Sequence, residues 1–508
     1  MTAVEVPVLI VGGGPAGLTA SLLLSRYGVA SLLVERRTEP SPLPRARGVH
    51  ARAMEVLRSC GAEGALRAQA LPIEPGVQWR GRLVDPPLRT IATGGPEFAE
   101  ISPCEGLAIS QDVYESVLRA EAAERPGATL RWGSALDSFT VSADGVDAVV
   151  DGQPVRARYL VAADGVHSGI RRALGIPLDG DDDLGASRGI AFRADLTPWT
   201  GPVPRGLYVL TGAGAVLLAT HPDGRWVVNS GDPDPDAAAV IRRIVGAPDL
   251  DVEVLAEGRW TAVARSARRY AEGPIFLVGD AAHQVPPAGA TGVSTATADV
   301  HNLAWKLAAV LDGQAGDALL ATYAVEREPV GRRAVVEARA AWLEFQSPAA
   351  TPFAGRTLRQ IDMGYGYASA AVVDDGSPDR DHTGDYTPTA DPGRRAPHLW
   401  LGDDRSVLDL FDRDLTLLTA PDGHRWRAAT PEGVTAHTVA QPEWPDLYGV
   451  SPCGAVLVRP DGHVAWRAAD LPGAGSRRCV DPVPATPEAV LRSVVGRVLA
   501  RSAAVPVR

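Results

Sequence analysis

Glycines and an acid near the N-terminus are spaced to hold a dinucleotide. Gly12, Gly14 and Gly17 form a Gly-x-Gly-x-x-Gly pattern that also carries Gly13, Pro15 and Ala16. Gly12 permits a tight turn, Gly14 lets backbone approach a pyrophosphate, and Gly17 lets a helix lie close on a sheet. A helix starting here presents free N–H groups and partial positive charge to phosphates. Glu35, about 20 residues on, is an acceptor for ribose hydroxyls. A second cluster stands far along the chain: Gly279-Asp280-Ala281-Ala282-His283, then Pro286-Pro287-Ala288-Gly289-Ala290-Thr291-Gly292. Here an acid ends an apolar run, and a stiff loop with glycines follows. A third site of interest is Asp164-Gly165, which closes the apolar run Tyr159 to Ala163.

These residues need elements to hold them. The run Val6 to Val11 predicts the strand before the glycines, Leu18 to Tyr27 the helix after them, and Ser31 to Val34 the strand ending in Glu35. Tyr159 to Ala163 and Pro274 to Val278 predict further buried strands. Helical spacing falls over Ala51 to Cys60, Gln111 to Ala123, Ala237 to Val245, Val293 to Leu311, Tyr323 to about Phe345 and Pro487 to Leu499. Short alternating runs at 206–210, 215–219 and 225–229, parted by Gly and Pro, predict an antiparallel sheet. Strands are also expected at 415–418 and 455–458. The expected fold class is α/β. A discontinuous Rossmann-type domain (1–71, 104–185 and 265–345) carries an inserted mixed or antiparallel sheet (72–103 and 186–264). A connector (346–390) leads to a smaller C-terminal unit (391–508).

Composition bounds the rest. A chain of 508 residues holds about three domains, and 45% hydrophobic with 22% charged residues is globular. The net charge of −11 argues against nucleic-acid binding. No apolar run approaches the roughly 20 residues of a membrane span, and no signal peptide is read. Cys60, Cys104, Cys453 and Cys479 are dispersed and form no C-x-x-C pair. Neither a metal site nor a dithiol is therefore expected, and the setting is read as cytoplasmic.

Gly279-Asp280-Ala-Ala-His283 followed by Pro286-Pro287-x-Gly289, with Tyr159–Gly165 and Pro44-Arg45-Ala-Arg47, resembles the FAD-dependent aromatic hydroxylases. These single-component flavoprotein monooxygenases include p-hydroxybenzoate hydroxylase, phenol hydroxylase and the aromatic-polyketide hydroxylases. The resemblance implies FAD, with Asp280 on the ribityl hydroxyls and the loop Pro286 to Gly292, Pro287 included, at the flavin's reacting edge. The helix beginning near Val293 and Ser294 would aim its dipole at the N1–C2 edge, where reduced flavin is anionic. It also implies Arg45 near the pyrophosphate, Gln111 on the adenosine side and Asp164 between FAD and NAD(P)H. Arg36 is a further candidate contact. Arg47 and Arg52 are weighed with it, solvation being the competing role for all three. His283 is implied to be structural, and His50 more structural than functional.

The sequence departs from the family's Gly-Gly-x-Gly-x-Asn-x-Gly after the prolines. Ala290 replaces the second glycine, Ser294 the asparagine and Ala296 the later glycine, with Asp299 following. Ser294 is too short for the asparagine's side-chain contacts. The tail residues Pro392–His398, Leu408–Phe411 and Val458–Arg467 resemble the thioredoxin-like appendage of phenol and polyketide hydroxylases, without its C-x-x-C.

The implied reaction is NAD(P)H- and O2-dependent hydroxylation of an aromatic, polyketide-type molecule by way of a flavin C4a-hydroperoxide. NADH or NADPH would visit transiently. Baeyer–Villiger insertion and epoxidation are the alternatives, and a flavin-binding partner protein without turnover is a third. The inserted sheet should line the substrate pocket. Trp79, Tyr208, His221, Trp226 and Asn229 are candidates, with plain packing as the competing role of each. A monomer or homodimer is expected.

Overall fold

In the computed structural model, residues 3–41, 47–92, 98–345, 357–377, 385–470 and 486–501 are described. Helices that bear on the site are α1 (Pro15–Arg26), α2 (Ala51–Ser59), α3 (Gln111–Ala123), α4 (Ala237–Val245), α5 (Thr291–Leu311), α6 (Ala318–Phe345) and α7 (Leu358–Met363).

The first sheet runs 271–272, 275–277, 153–162, 4–11, 31–35, 128–132 in space. Strand Val4–Val11 pairs in parallel with Gln153–Ala162 and Ser31–Glu35, and Ile10 lies between Val161 and Leu33. Val8 to Val11 are all buried, as expected of strands covered on both faces. A hairpin, Leu136–Ser142 and Gly145–Val150, adds antiparallel strands on one side.

The second sheet has seven strands in the order 253–261, 186–193, 225–230, 215–219, 205–210, 74–80, 89–91. Its pairs are antiparallel except 205–210 with 74–80, so it is mixed and draws strands from both sides of residues 104–185. Helix α4 begins with Asp236 accepting from the Ala239 N–H and ends at left-handed Gly246. It packs Val240, Ile241, Ile244 and Val245 against one face of this sheet.

The C-terminal unit has the strand order 434–438, 415–419, 455–458, 464–468. The first pair is parallel and the others antiparallel. Helices His424–Ala428, Trp444–Tyr448 and Pro487–Val498 accompany it. A buried ionic cluster joins this unit to α5 and α6. Arg459 holds both carboxylate oxygens of Glu326, at 2.6 and 2.9 Å. Lys306, the chain's only lysine, reaches Glu326 at 2.7 Å and Asn302 at 2.8 Å. Beside it Arg395 grips Glu55 of α2, which also accepts from Arg52 and Ser102.

Candidate cofactor and substrate site

The strands ending at Val11, Glu35, Ala162 and Leu277 deliver three motifs to one edge of the sheet. This is the edge where open parallel sheets bind ligands. Gly12 takes φ +112°, and a Cβ on Gly17 would stand 1.9 Å from the Gly12 carbonyl oxygen. Glycine at both places is what lets the turn and α1 close on each other. The Gly13 N–H donates to Glu35 Oε2 at 2.7 Å, and the Arg37 N–H to Oε1 at 2.9 Å. The Glu35 carboxylate is thereby oriented over the turn, with acceptor capacity left over. A Cβ on Gly279 would meet the Ala16 and Ala296 methyls, each at 3.2 Å. Thus the first glycine motif, the Gly-Asp-Ala-Ala-His motif and the start of α5 abut. Ala296, one of the departures noted above, sits in that seam.

Buried polar atoms are normally paired, and several here are not. Helix α1 starts at Gly14 with Pro15 at its first position, no side-chain cap and no acid in the first turn. Space where a Gly14 Cβ would project is open. Helix α5 likewise starts without a side-chain cap or first-turn acid, after Ala290 at φ +52°. The buried hydroxyls of Thr291 and Ser294, and Asp164 Oδ1, have no partner among the described residues. Asp164 Oδ2 accepts from the Ile170 N–H at 3.1 Å. Two bare helix ends and orphaned donors and acceptors suit an anionic, many-oxygened dinucleotide.

The remaining candidates are placed as follows. Asp280 is exposed in the 3-10 turn Gly279–Ala281. Pro287 is exposed, Gly289 is left-handed at φ +81°, and Gly292 and Val293 fall in the first turn of α5. Gln111 opens α3 and donates to Glu115 at 2.7 Å. Arg36 is exposed, and Arg45 lies outside the described residues. Arg47 and Arg52 are not solvated. Arg47 donates to the Gly206 carbonyl of the second sheet, and Arg52 is buried against Glu55 and the Asp461 carbonyl.

Strand alternation divides the substrate candidates. Tyr208 pairs with Leu217, Leu217 with Val228, and Phe192 with Trp226. These side chains share the face covered by α4, and Tyr208 and Trp226 are buried in that core. They are packing residues, a correction that follows from the two-residue period of a strand. Trp79 pairs with Val209, and Asn229 with Val216 and Gly189, so both lie on the opposite face. On that face Trp260 donates to Asn229 Oδ1 at 3.3 Å and packs on Trp342 of α6, ring centroids 6.0 Å apart. His221 bridges the two layers, with Nε2 3.1 Å from Asp112 Oδ2 of α3.

Sequence reasoning missed what holds the site together. Asp299, fully buried, faces His283 Nε2 at 2.6 Å and accepts from the Gly279 N–H at 3.0 Å and Arg327 Nε at 2.8 Å. Its burial alone would raise its pKa, but His283, Arg327 and the Gly279 N–H outweigh this and hold the carboxyl below its ordinary range. Asp299 was visible as an acid after the loop, but its partners are distant in sequence. Among the described residues no group is arranged to hold a metal ion, and no helix is long and apolar enough to cross a membrane.

Fold and site together define a dinucleotide-binding flavoprotein with a second sheet beside its cofactor edge. The chain belongs to the FAD-binding aromatic-ring hydroxylases. The FAD binding domain family matches residues 5–338, and the aromatic-ring hydroxylase C-terminal family matches residues 389–497. It is 36% identical to the tetracenomycin B2 monooxygenase-dioxygenase of Streptomyces olivaceus, covering 99% of this chain and 100% of that protein. The solved flavin-dependent monooxygenase PieE, in complex with FAD and substrate, superposes with a TM-score of 0.88 at 32% identity over 99% of this chain and all of the other. Aklavinone-11 hydroxylase, in a ternary complex with FAD and aklavinone, gives 0.86 at 32% identity with the same coverage. The chain is an FAD-dependent monooxygenase.

Proposed function

We propose that this monooxygenase hydroxylates a polycyclic, polyketide-type aromatic, taking hydride from transiently bound NADPH or NADH and oxygen from O2. Relatives of this kind match over essentially the whole chain, including the second sheet and the C-terminal unit. The observation that carries the cofactor assignment is the seam at Gly279, where both bare helix ends and the Asp280 turn come together.

In this proposal Gly12, Gly14, Pro15, Ala16 and Gly17 cradle the pyrophosphate at the N-terminus of α1, with Arg45 adding charge. Glu35 takes the adenosine ribose, with Arg36 and Gln111 at that end. Asp280 accepts from the ribityl chain, and Asp164 lies at its flank. Residues Pro287, Gly289, Gly292, Val293 and Ser294 border the ring, where the first-turn N–H groups of α5 meet its pyrimidine edge. Bound FAD supplies hydride acceptance and oxygen activation, chemistry the side chains lack. The protein binds, orients and keeps water out. The substrate lies between the ring and the sheet face of Trp79 and Asn229, with His221 at the domain junction.

The domain limits proposed are 1–71, 104–185 and 265–345 for FAD, and 72–103 and 186–264 for substrate. The tail is a thioredoxin-like unit, on the strength of its β-α-β-α-β-β-α order with its first two strands paired in parallel. Without C-x-x-C it braces the fold rather than exchanging thiols. Incubating the purified enzyme with NADPH or NADH and a panel of polycyclic phenols, followed by product mass analysis, tests the function. One added oxygen with rings intact, and matching nucleotide and O2 consumption, is expected. A lactone or epoxide would replace hydroxylation with insertion or epoxidation, and flavin reduction without any oxygenated product would overturn the reading.

A further inference from the structure

The loop Pro286–Gly292 ends in two consecutive left-handed residues, Gly289 at φ +81° and Ala290 at φ +52°. Left-handed backbone at alanine is costly, and such strain persists only where surrounding contacts over-determine it. One neighbour of this turn comes from another part of the chain. His50, the residue before α2, is half-buried and directs Nδ1 at Asp362 Oδ2 of α7. The same imidazole lies beside the Gly289 backbone, which helps to raise its pKa. Asp362 in turn lines a small pocket that also touches Ser294 and Tyr365, whose hydroxyls have no partner among the described residues.

We propose that His50 and Asp362 form a clamp that holds the Gly289–Ala290 turn in place and thereby sets the position of the FAD ring. This rests on the proposed placement of the ring at that loop. His50 and Asp362 are positioning residues, acting through the backbone of Gly289. His50 works in its charged form. Burial alone would lower the His50 pKa, but the charge and hydrogen bond of Asp362, with the Gly289 backbone, raise it. Other charges nearby are engaged elsewhere or offer His50 no counterion. Arg52 holds Glu55, Arg359 of α7 holds Asp385, and Arg47 donates to Gly206. Arg333 lines the cavity with Asp362, and the loop itself carries no ionisable side chain.

The test measures FAD dissociation constants and the visible flavin spectrum of the full-length protein against pH, with apoprotein melting temperature as the folding check. His50→Gln and Asp362→Asn are each expected to weaken FAD binding about tenfold, the weight of one charge-assisted hydrogen bond, and to shift the flavin bands. A group with a raised pKa stabilises below that pKa and stops doing so above it. Wild-type affinity should therefore fall as pH rises through the His50 transition, and Asp362→Asn should move that fall to lower pH. Adding Ala290→Gly, which removes the strain the clamp opposes, should recover part of the loss. Unchanged affinity, spectrum and pH profile in folded His50→Gln and Asp362→Asn would overturn the clamp. Gly289→Val separates the two failures. If it too leaves FAD binding unchanged, the loop is not at the flavin. If it weakens binding while the clamp variants do not, the loop assignment stands and the clamp falls.

Discussion

Asp299 has no access to solvent and carries three obligations at once, to His283, Arg327 and the Gly279 backbone. Removing one charge from such a set leaves another buried and unpaired. Asp299→Asn should cost about 3–5 kcal/mol, because Arg327 keeps its charge without a counterion. Urea denaturation of wild type and variant measures this. The sign of the pH dependence is fixed by the lowered Asp299 pKa. Its contribution is complete above the unfolded carboxylate pKa and is lost as pH falls through the folded one. Wild-type stability should therefore drop more steeply than the variant's below about pH 4. At this scale the sequence showed residue types but not partners. Asp280, Glu35 and His283 were legible because each lies inside a local pattern. The pairs His50–Asp362 and Asp299–Arg327 join separate patterns, and no spacing rule reaches across that distance.

Elements were legible where hydrophobic period and punctuation agree. Helix α3 spans Gln111–Ala123 and α4 spans Ala237–Val245, as their spacing predicts. Helix α5 begins two residues before the expected Val293, at Thr291. The expected connector contains a helix, α7, that reaches back to the site. The hairpin 136–150 has few buried residues on its first strand and so lacks an apolar run to announce it. In the second sheet the runs were visible but not their facing. That is why Tyr208 and Trp226 were grouped with Trp79 and Asn229, although α4 covers only one of the two faces. The loop into α5 carries a left-handed alanine, and its cost can be measured. Ala290→Gly should stabilise the apoprotein by about 1 kcal/mol, since glycine accepts φ +52° without the Cβ penalty. Chemical denaturation gives the value. A destabilised variant would mean that the Ala290 methyl packs more favourably than its backbone is strained.

At the scale of the molecule, residues from two distant stretches, the helix expected from Val293 to Leu311 and the tail stretch Val458–Arg467, meet. The Arg459 guanidinium lies 5.2 Å from the ring centres of both Trp305 and Tyr367 while gripping Glu326 and Asp461. Burial would raise the Glu326 pKa, but Arg459 and Lys306 hold it far below the usual range. The same helix that brings Asn302, Trp305 and Lys306 to this cluster begins at the loop of Gly289 and Ala290. The C-terminal unit therefore anchors α5 from behind, and its link to the cofactor edge runs along a helix rather than through a thiol. Glu326→Gln tests that mechanical role. It leaves Arg459 and Lys306 buried with one fewer counter-charge, at a cost of about 3–5 kcal/mol. Because the cluster joins the two units, the loss should fall on their docking. Wild type is expected to melt in a single calorimetric transition. The variant should melt in two, the earlier one releasing FAD. If the variant still melts in one transition with FAD retained throughout, α5 is held by its packing against α1 and α6, and the C-terminal unit contributes nothing to the seat of the cofactor.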